Sequence, residues 1–316
     1  MVAELSTRIG NLHLRNPIMP ASGTFSDDLA EVIDISRIGA HVLKTVTPDL
    51  RGGNATPRVC EIRGAMLNSI GIPSKGLKHL LKTVIPWYAR FDVPLVVSIS
   101  ANDSESFARS CEKVSQPGVA AIEANISCPN IEEDGRAFAM RPESTHTIMT
   151  ALRGATDLPL WAKLSPNTGE PAEVGLAAEA AGADALVVAN TVLGMAVDIH
   201  SRKPRLGNIM GGISGPPIKP IALRMTYQCA RSVRIPVIGC GGVSTVEDVL
   251  EYLIVGASAV QVGTATFINP STMTTLVDQL SAWMQENGVD SLDKIIGTLR
   301  DDDVRESEQF METVRL

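Results

Sequence analysis

The chain has few cysteines and no arrangement of them that would bind a metal or a cluster. Its five, Cys60, Cys111, Cys128, Cys229 and Cys240, include no C-x-x-C or C-x4-C pair. An odd, widely spaced set supports neither a disulfide framework nor a zinc or iron–sulfur cradle. The five histidines likewise lack metal-ligand spacing, so no metal site is expected, and His41 reads as a satisfied core residue. Basic clusters are missing too. The 28 Lys and Arg are scattered among 35 Asp and Glu, for a net charge of −7. That leaves no electrostatic footprint for nucleic acid or anionic lipid, and the expected partners are small molecules or proteins. The first residues hold no basic segment followed by an apolar run, which predicts a cytoplasmic location. Residues 252–277 carry no charge, but Gln261, Asn269 and Pro270 interrupt them, so they read as helix end, buried strand and loop rather than a membrane span.

What the 316 residues do contain is a recurring alternation of short aliphatic runs with segments of helical period. Strands are predicted at 18–19, 41–43, 95–99, 121–124, 160–164, 185–188, 236–239 and 259–262. Helices are predicted at 28–36, 76–90, 104–114, 142–155, 171–181, 217–232 and 245–255. Hydrophobic strands joined by helical crossovers must bury both sheet faces, and closing the sheet into a (β/α)8 TIM barrel does this without leaving edges. The competing architecture is an open doubly wound sheet, against which stands the absence of an early G-x-G-x-x-G. One α/β domain over 1–316 is expected, with insertions at 51–72, 126–141 and 191–213 on the catalytic face. A hairpin at 5–14, turning at Gly10-Asn11, is placed to plug the opposite end.

Glycines punctuate the last two strand ends, as Gly239-Cys240-Gly241-Gly242 and as Gly263-Thr264. Glycine there lets backbone N–H groups approach a phosphate at a helix N-terminus, although each motif alone also suits a tight turn. The phosphate fits either FMN or a phosphorylated sugar. Lys44-Thr45, Asn125, Lys163 and Asn190-Thr191 stand at other strand ends. A lysine inside a barrel mouth is costly unless it faces an anion or an electron-rich ring, as a flavin would supply. The amides Asn68, Asn125 and Asn190 match a ring of alternating N–H and C=O groups, though singly each also suits a turn or cap. Cys128 follows a strand end and precedes Pro129, on a loop to Phe138 that reads as a candidate lid. A thiol there can act as a base if its pKa falls towards neutrality. A buried apolar role suits Cys60, Cys111 and Cys229 instead.

On these residues the chain resembles the class 1 dihydroorotate dehydrogenases, and within them the catalytic subunit of the NAD-linked class 1B. The matching segments are 16–23, 44–47, 54–58, 67–71, 125–130, 163–167, 189–191, 211–220, 241–242 and 263–265, within a span from Leu5 to Leu299. The resemblance implies an FMN-bearing (β/α)8 barrel that oxidises dihydroorotate to orotate in pyrimidine synthesis. Cys128 is then the base that removes the C5 proton while hydride leaves C6 for flavin N5. Lys44, Asn68, Ser69, Ile70, Gly71, Ile72, Asn125, Asn190 and Thr191 are implied to hold the substrate. Ser22, Lys44, Thr45, Ser98 or Ser100, Asn125, Lys163, Val188, Gly215, Gly241, Gly242, Gly263 and Thr264 are implied to hold FMN. The resemblance further implies a homodimer joined in a heterotetramer to a second subunit carrying FAD and a [2Fe-2S] cluster. The alternatives are a fumarate-linked class 1A enzyme, another FMN barrel reductase acting on a dihydropyrimidine, and a non-catalytic barrel that binds FMN or phosphate.

Overall fold

The computed structural model describes residues 3–127 and 137–300. Eight parallel strands form one sheet: β1 (Ile18–Pro20), β2 (His41–Val42), β3 (Leu95–Ile99), β4 (Ala121–Ala124), β5 (Leu160–Lys163), β6 (Ala185–Val188), β7 (Val237–Cys240) and β8 (Ala259–Val262). Their order is β1-β8-β7-β6-β5-β4-β3-β2. The two end strands lie against each other, and Gly39 N–H donates to Ile18 O at 2.8 Å across the seam. The result is a (β/α)8 barrel.

Six of the crossovers are helical. Residues 77–88 form two α-helical turns around a π-helical one (Leu80–Val84). The other five are α1 (Ser104–Val114), α2 (Pro142–Arg153), α3 (Pro171–Ala180), α4 (Lys219–Ser232) and α5 (Val246–Ile254). A short α6 (Ala265–Ile268) and the long α7 (Thr272–Glu286) follow β8. The helix expected at 28–36 is instead two 3-10 turns, Asp27–Glu31 and Ile35–Arg37. The break is at Asp34: its backbone is extended (φ −76°, ψ 98°) and its carboxylate accepts from Ser36 N–H and Ser36 Oγ. A short polar side chain that captures the backbone this way competes with helix continuation.

Alternation along each strand divides the residues between two cores. Odd-numbered Val97 and Ile99 of β3 pack outward against the helices. Inward-facing Met19, Val42, Val96, Ala121, Trp161, Val187 and Ile238 fill the barrel together with Ile9 and Leu14. Those last two belong to a hairpin, Thr7–Ile9 paired with Leu12–Leu14 around Gly10-Asn11, so the expected plug closes the barrel floor. Two residues further along the same inward rows the side chains turn polar: Lys44 after Val42, Ser98 after Val96, Glu123 after Ala121 and Lys163 after Trp161. The barrel therefore has an apolar floor and a polar upper layer.

Two insertions meet above that layer. Val59–Ile62 and Ala65–Asn68 come from 51–72, Val192–Gly194 and Gly211–Ser214 from 191–213, and together they make a four-stranded antiparallel sheet. Gly212 pairs with Asn68. Of the insertion at 126–141, residues 128–136 lie outside the described part. Among the described residues no helix is long and apolar enough to cross a membrane.

Candidate active site

A run of hydrogen bonds crosses the barrel mouth from β2 to β6. Thr45 Oγ1 and Ser98 Oγ lie 2.9 Å apart, and Asn125 Nδ2 donates to Thr45 Oγ1 at 3.2 Å. Ser127 Oγ donates to Asn125 Oδ1 at 2.8 Å, and Asn190 Nδ2 donates to Ser127 Oγ at 2.7 Å. Asn190 Oδ1 then accepts from Thr191 N–H at 2.7 Å. The row continues into the inserted sheet, where Asn68 Nδ2 donates to Gly212 O at 3.1 Å. A Cβ at Gly212 would collide with Thr191 Oγ1, so only glycine lets the inserted sheet sit this close to the β6 loop. Thr45, Ser98 and Asn125 are buried. Amides pinned in this way present fixed donors and acceptors to a planar heterocycle.

Of the two candidate serines, Ser98 within β3 and Ser100 just past it, both buried, it is Ser98 whose hydroxyl joins this row. Ser127, buried at the centre of the row, was not singled out from sequence; its only signal was its place two residues after Asn125. Ser69 is held by Asn54 Nδ2 at 2.9 Å and Asn208 Nδ2 at 2.8 Å. Beyond it Ile70 O accepts from Asn54 N–H, Gly71 has φ +77°, and Ile72, at φ +48°, is among the few non-glycine residues in the left-handed region. Lys44 stands exposed just past β2. Cys128 lies outside the described residues.

The second part of the site is a cradle of loops. Gly241 (φ +141°) and Gly242 (φ +74°) leave β7 against the start of α4, where added Cβ atoms would meet Ala222 Cβ and Lys219 Cβ, each at 2.7 Å. Tyr252 OH donates to Gly241 O at 2.7 Å from α5 and fixes the loop. Thr264 Oγ1 donates to Ser214 Oγ at 2.8 Å, next to Gly215 (φ +101°). Of the two glycine segments expected at the phosphate, the one after β8 is thus tied to the Ser214–Gly215 turn, where Gly215 was expected at FMN. The N-terminus of α5 is not the anion site: a capping box of Thr245 and Asp248 already satisfies it, and Asp248 Oδ2 also accepts from Ser244 N–H at 2.8 Å. The amides left to meet a phosphate are those of the glycine loops themselves.

Between row and cradle lies Lys163, buried at the end of β5. Its Nζ donates to Ser22 Oγ at 3.2 Å and to Gln261 Oε1 at 3.1 Å, and stands 3.7 Å from Glu123 Oε1. Neither Glu123 nor Gln261 was singled out from sequence. Val188, also expected at the cofactor, is fully buried at the end of β6. Among the other cysteines, burial pushes the Cys111 and Cys229 thiols up to about 12 and also raises that of Cys240, so all three are neutral packing groups. Cys60 does not fit the buried role expected of it; it is half-buried on the inserted sheet.

The donor set suits a flavin mononucleotide. Positive-φ glycines offer close-approaching backbone amides for a phosphate, a buried ammonium offers a counter-charge, and the linked amides and hydroxyls offer donors and acceptors for a heterocycle.

The sequence model of the family described as dihydroorotate dehydrogenase matches residues 4–284. A Geobacillus sp. (strain WCH70) protein named dihydroorotate dehydrogenase B (NAD(+)), catalytic subunit, is 42% identical over 297 residues, covering 93% of this chain and 95% of the relative. Proteins of the same name from Trichlorobacter lovleyi and Listeria welshimeri are 41% identical over 302 residues and 42% over 295. They cover 95% and 92% of this chain, and 99% and 97% of their own lengths.

Proposed function

The chain belongs to the dihydroorotate dehydrogenase family, and on that premise we propose that it is the catalytic subunit of an NAD-linked enzyme that oxidises dihydroorotate to orotate in pyrimidine synthesis. The observation that carries this reading is the hydrogen-bonded row from Ser98 through Thr45, Asn125, Ser127 and Asn190 to Thr191, set beside the glycine cradle and the buried Lys163.

FMN, when bound, supplies the acceptor for the hydride leaving C6 of the substrate. The backbone amides of Gly241, Gly242, Gly263 and Thr264 would hold its phosphate, with Ser22, Lys44, Thr45, Ser98, Asn125, Val188 and Gly215 around the rest. Lys163 contributes a buried positive charge that favours the more negative, reduced state of the site. Asn68, Asn125, Asn190 and Thr191 pair with the N–H and C=O groups of dihydroorotate. Lys44 would attract its carboxylate, and the 69–72 backbone would help hold it. Cys128 takes the C5 proton as thiolate, so that one proton and one hydride leave together and the ring gains its double bond.

We further assign electron transfer to a partner subunit carrying FAD and a [2Fe-2S] cluster, with this chain as a homodimer inside a cytoplasmic heterotetramer and one barrel domain over 1–316. The relatives' name, catalytic subunit, supports a partner. So do the exposed apolar side chains Leu193, Met195, Val197 and Ile199, which run from the inserted sheet into the small hairpin that pairs Val197–Asp198 with Lys203–Pro204.

The test is anaerobic. Dihydroorotate is added to the purified chain loaded with FMN, flavin absorbance is followed, and fumarate, NAD, and NAD with the partner subunit are added in turn. Bleaching reversed only when NAD and the partner are both present is the expected result. Reversal by fumarate alone assigns the chain to the class 1A reaction, and a flavin that stays oxidised removes dihydroorotate as substrate.

A further inference from the structure

Glu123, Gln261 and Lys163 form a polar relay across the barrel, from β4 to β8 to β5, immediately above the apolar floor. Glu123 and Gln261 are fully buried and Lys163 nearly so. Gln261 Nε2 donates to Glu123 Oε2 at 2.7 Å, and Gln261 Oε1 accepts from Lys163 Nζ at 3.1 Å. The chemistry leaves the central amide one orientation. A carboxylate only accepts and an ammonium only donates, so Gln261 must turn its NH2 to Glu123 and its oxygen to Lys163. The acid and the base do not touch: Glu123 Oε1 is 3.7 Å from Lys163 Nζ, beyond hydrogen-bond range, and accepts no hydrogen bond among the described residues.

An ion pair sealed in a barrel is a poor source of stability, since an apolar layer of the same volume does as well or better. One that is also held apart is costlier still. Such an arrangement makes sense if the separation itself matters. Resting on the flavin assignment of the preceding section, we propose that Gln261 is a positioning residue that keeps the Lys163 ammonium from collapsing onto Glu123, so that its charge stays directed at the flavin, while Glu123 tempers that charge from behind. Lys163 is the group that faces the cofactor, and the other two act through it.

The relay makes two substitutions of the same Gln261–Glu123 pair pull in opposite directions: Gln261→Leu deletes its hydrogen bond, whereas Glu123→Gln keeps an amide oxygen to accept from Gln261 Nε2 and removes only the charge. In Gln261→Leu the ammonium loses an acceptor and closes on Glu123, and the site becomes less positive. In Glu123→Gln the opposing carboxylate is gone and the site becomes more positive. The readout is the two-electron midpoint potential of bound FMN, taken against a reference dye during anaerobic reduction without substrate. The reduced-to-oxidised ratio at a fixed dye potential should fall about tenfold in Gln261→Leu and rise about tenfold in Glu123→Gln, each corresponding to about 30 mV. Should Gln261→Leu not fold, Gln261→Met, unbranched and of similar length, carries the same expectation. A purely structural role for the relay shifts both variants the same way or neither, and either result overturns the proposal. The unaltered chain is measured first. If it fails to retain FMN or to be reduced by dihydroorotate, the proposed function and the relay fall together. If it passes and the two variants do not diverge, the relay alone falls.

Discussion

His41 makes an acid-sensitive element of the barrel wall, and the size of the effect follows from its surroundings. The imidazole lies on the outer side of β2, fully buried, stacked on Tyr88 at 4.4 Å and met edge-on by Phe25 at 5.0 Å. Neither ring nitrogen has a hydrogen-bond partner among the described residues, so the satisfied core histidine expected from sequence is buried but not satisfied. Burial lowers its pKa from 6.5 to about 3. Below pH 6.5 the unfolded chain takes up a proton that the folded chain refuses. Stability is therefore full above that pH and drains as pH falls toward 3, by about 1.4 kcal/mol per unit. Between about pH 7 and pH 4.5 the loss from this one group is about 2.5 kcal/mol. His41→Phe keeps the ring contacts and removes the titration, and the carboxylates titrate alike in both proteins, so the difference between them isolates His41. Urea unfolding of the pair at the two pH values is the assay, with the His41→Phe variant expected to gain about 2.5 kcal/mol on the natural chain as the solution is acidified. An equal gap at both pH values refutes the reasoning.

Other predictions concern the site. Cys128→Ser should retain FMN and lose most turnover near neutral pH, with partial recovery at high pH because a hydroxyl is the weaker acid; unchanged rates would remove Cys128 from the mechanism. Ser127→Ala breaks the bridge between Asn125 and Asn190 and leaves both amides short of a partner, so KM for dihydroorotate should rise about 5- to 30-fold with FMN content unchanged in steady-state assays. Tyr252→Phe removes the hydroxyl on Gly241 O while keeping the ring, and should weaken FMN binding by about 1 kcal/mol, read by fluorescence titration of the stripped protein. Lys163→Ala should slow flavin reduction by dihydroorotate in stopped flow, and normal flavin content with normal reduction kinetics refutes its role.

The barrel was legible because its strands announce themselves. Runs such as Leu95-Val96-Val97 and Ala185-Leu186-Val187-Val188 are apolar on both faces, as only a sheet covered on both sides demands. The helix that failed, at 28–36, failed for a reason local sequence does contain. Asp34 two residues before Ser36 is a capping pair, and it stops one turn and starts another. What local sequence does not contain is the meeting of Ala65–Asn68 with Gly211–Ser214, about 145 residues apart. Each segment is short and half-exposed, and the register is set by the close approach at Gly212 rather than by a hydrophobic pattern.

Strand-end polar residues were readable as a site for the same reason that Glu123 and Gln261 were not. Asn125, Lys163 and Asn190 stand where a strand stops, a position that function claims in barrels. Glu123 and Gln261 lie inside Ala121–Ala124 and Ala259–Val262, and a polar residue within a short strand is ordinarily taken as its solvent face. Here that inference is blocked by the flanking residues. Ala121 and Ala259, two positions earlier in the same rows, are fully buried, and so are the opposite-facing neighbours Ile122 and Val260, which leaves neither face of either strand for water. A charged or amide side chain in such a strand has to be answered by another one inside the barrel. The buried inward lysine on the strand next to β4 is Lys163 of β5, so parity and strand order together pair the three residues once the sheet is known to close.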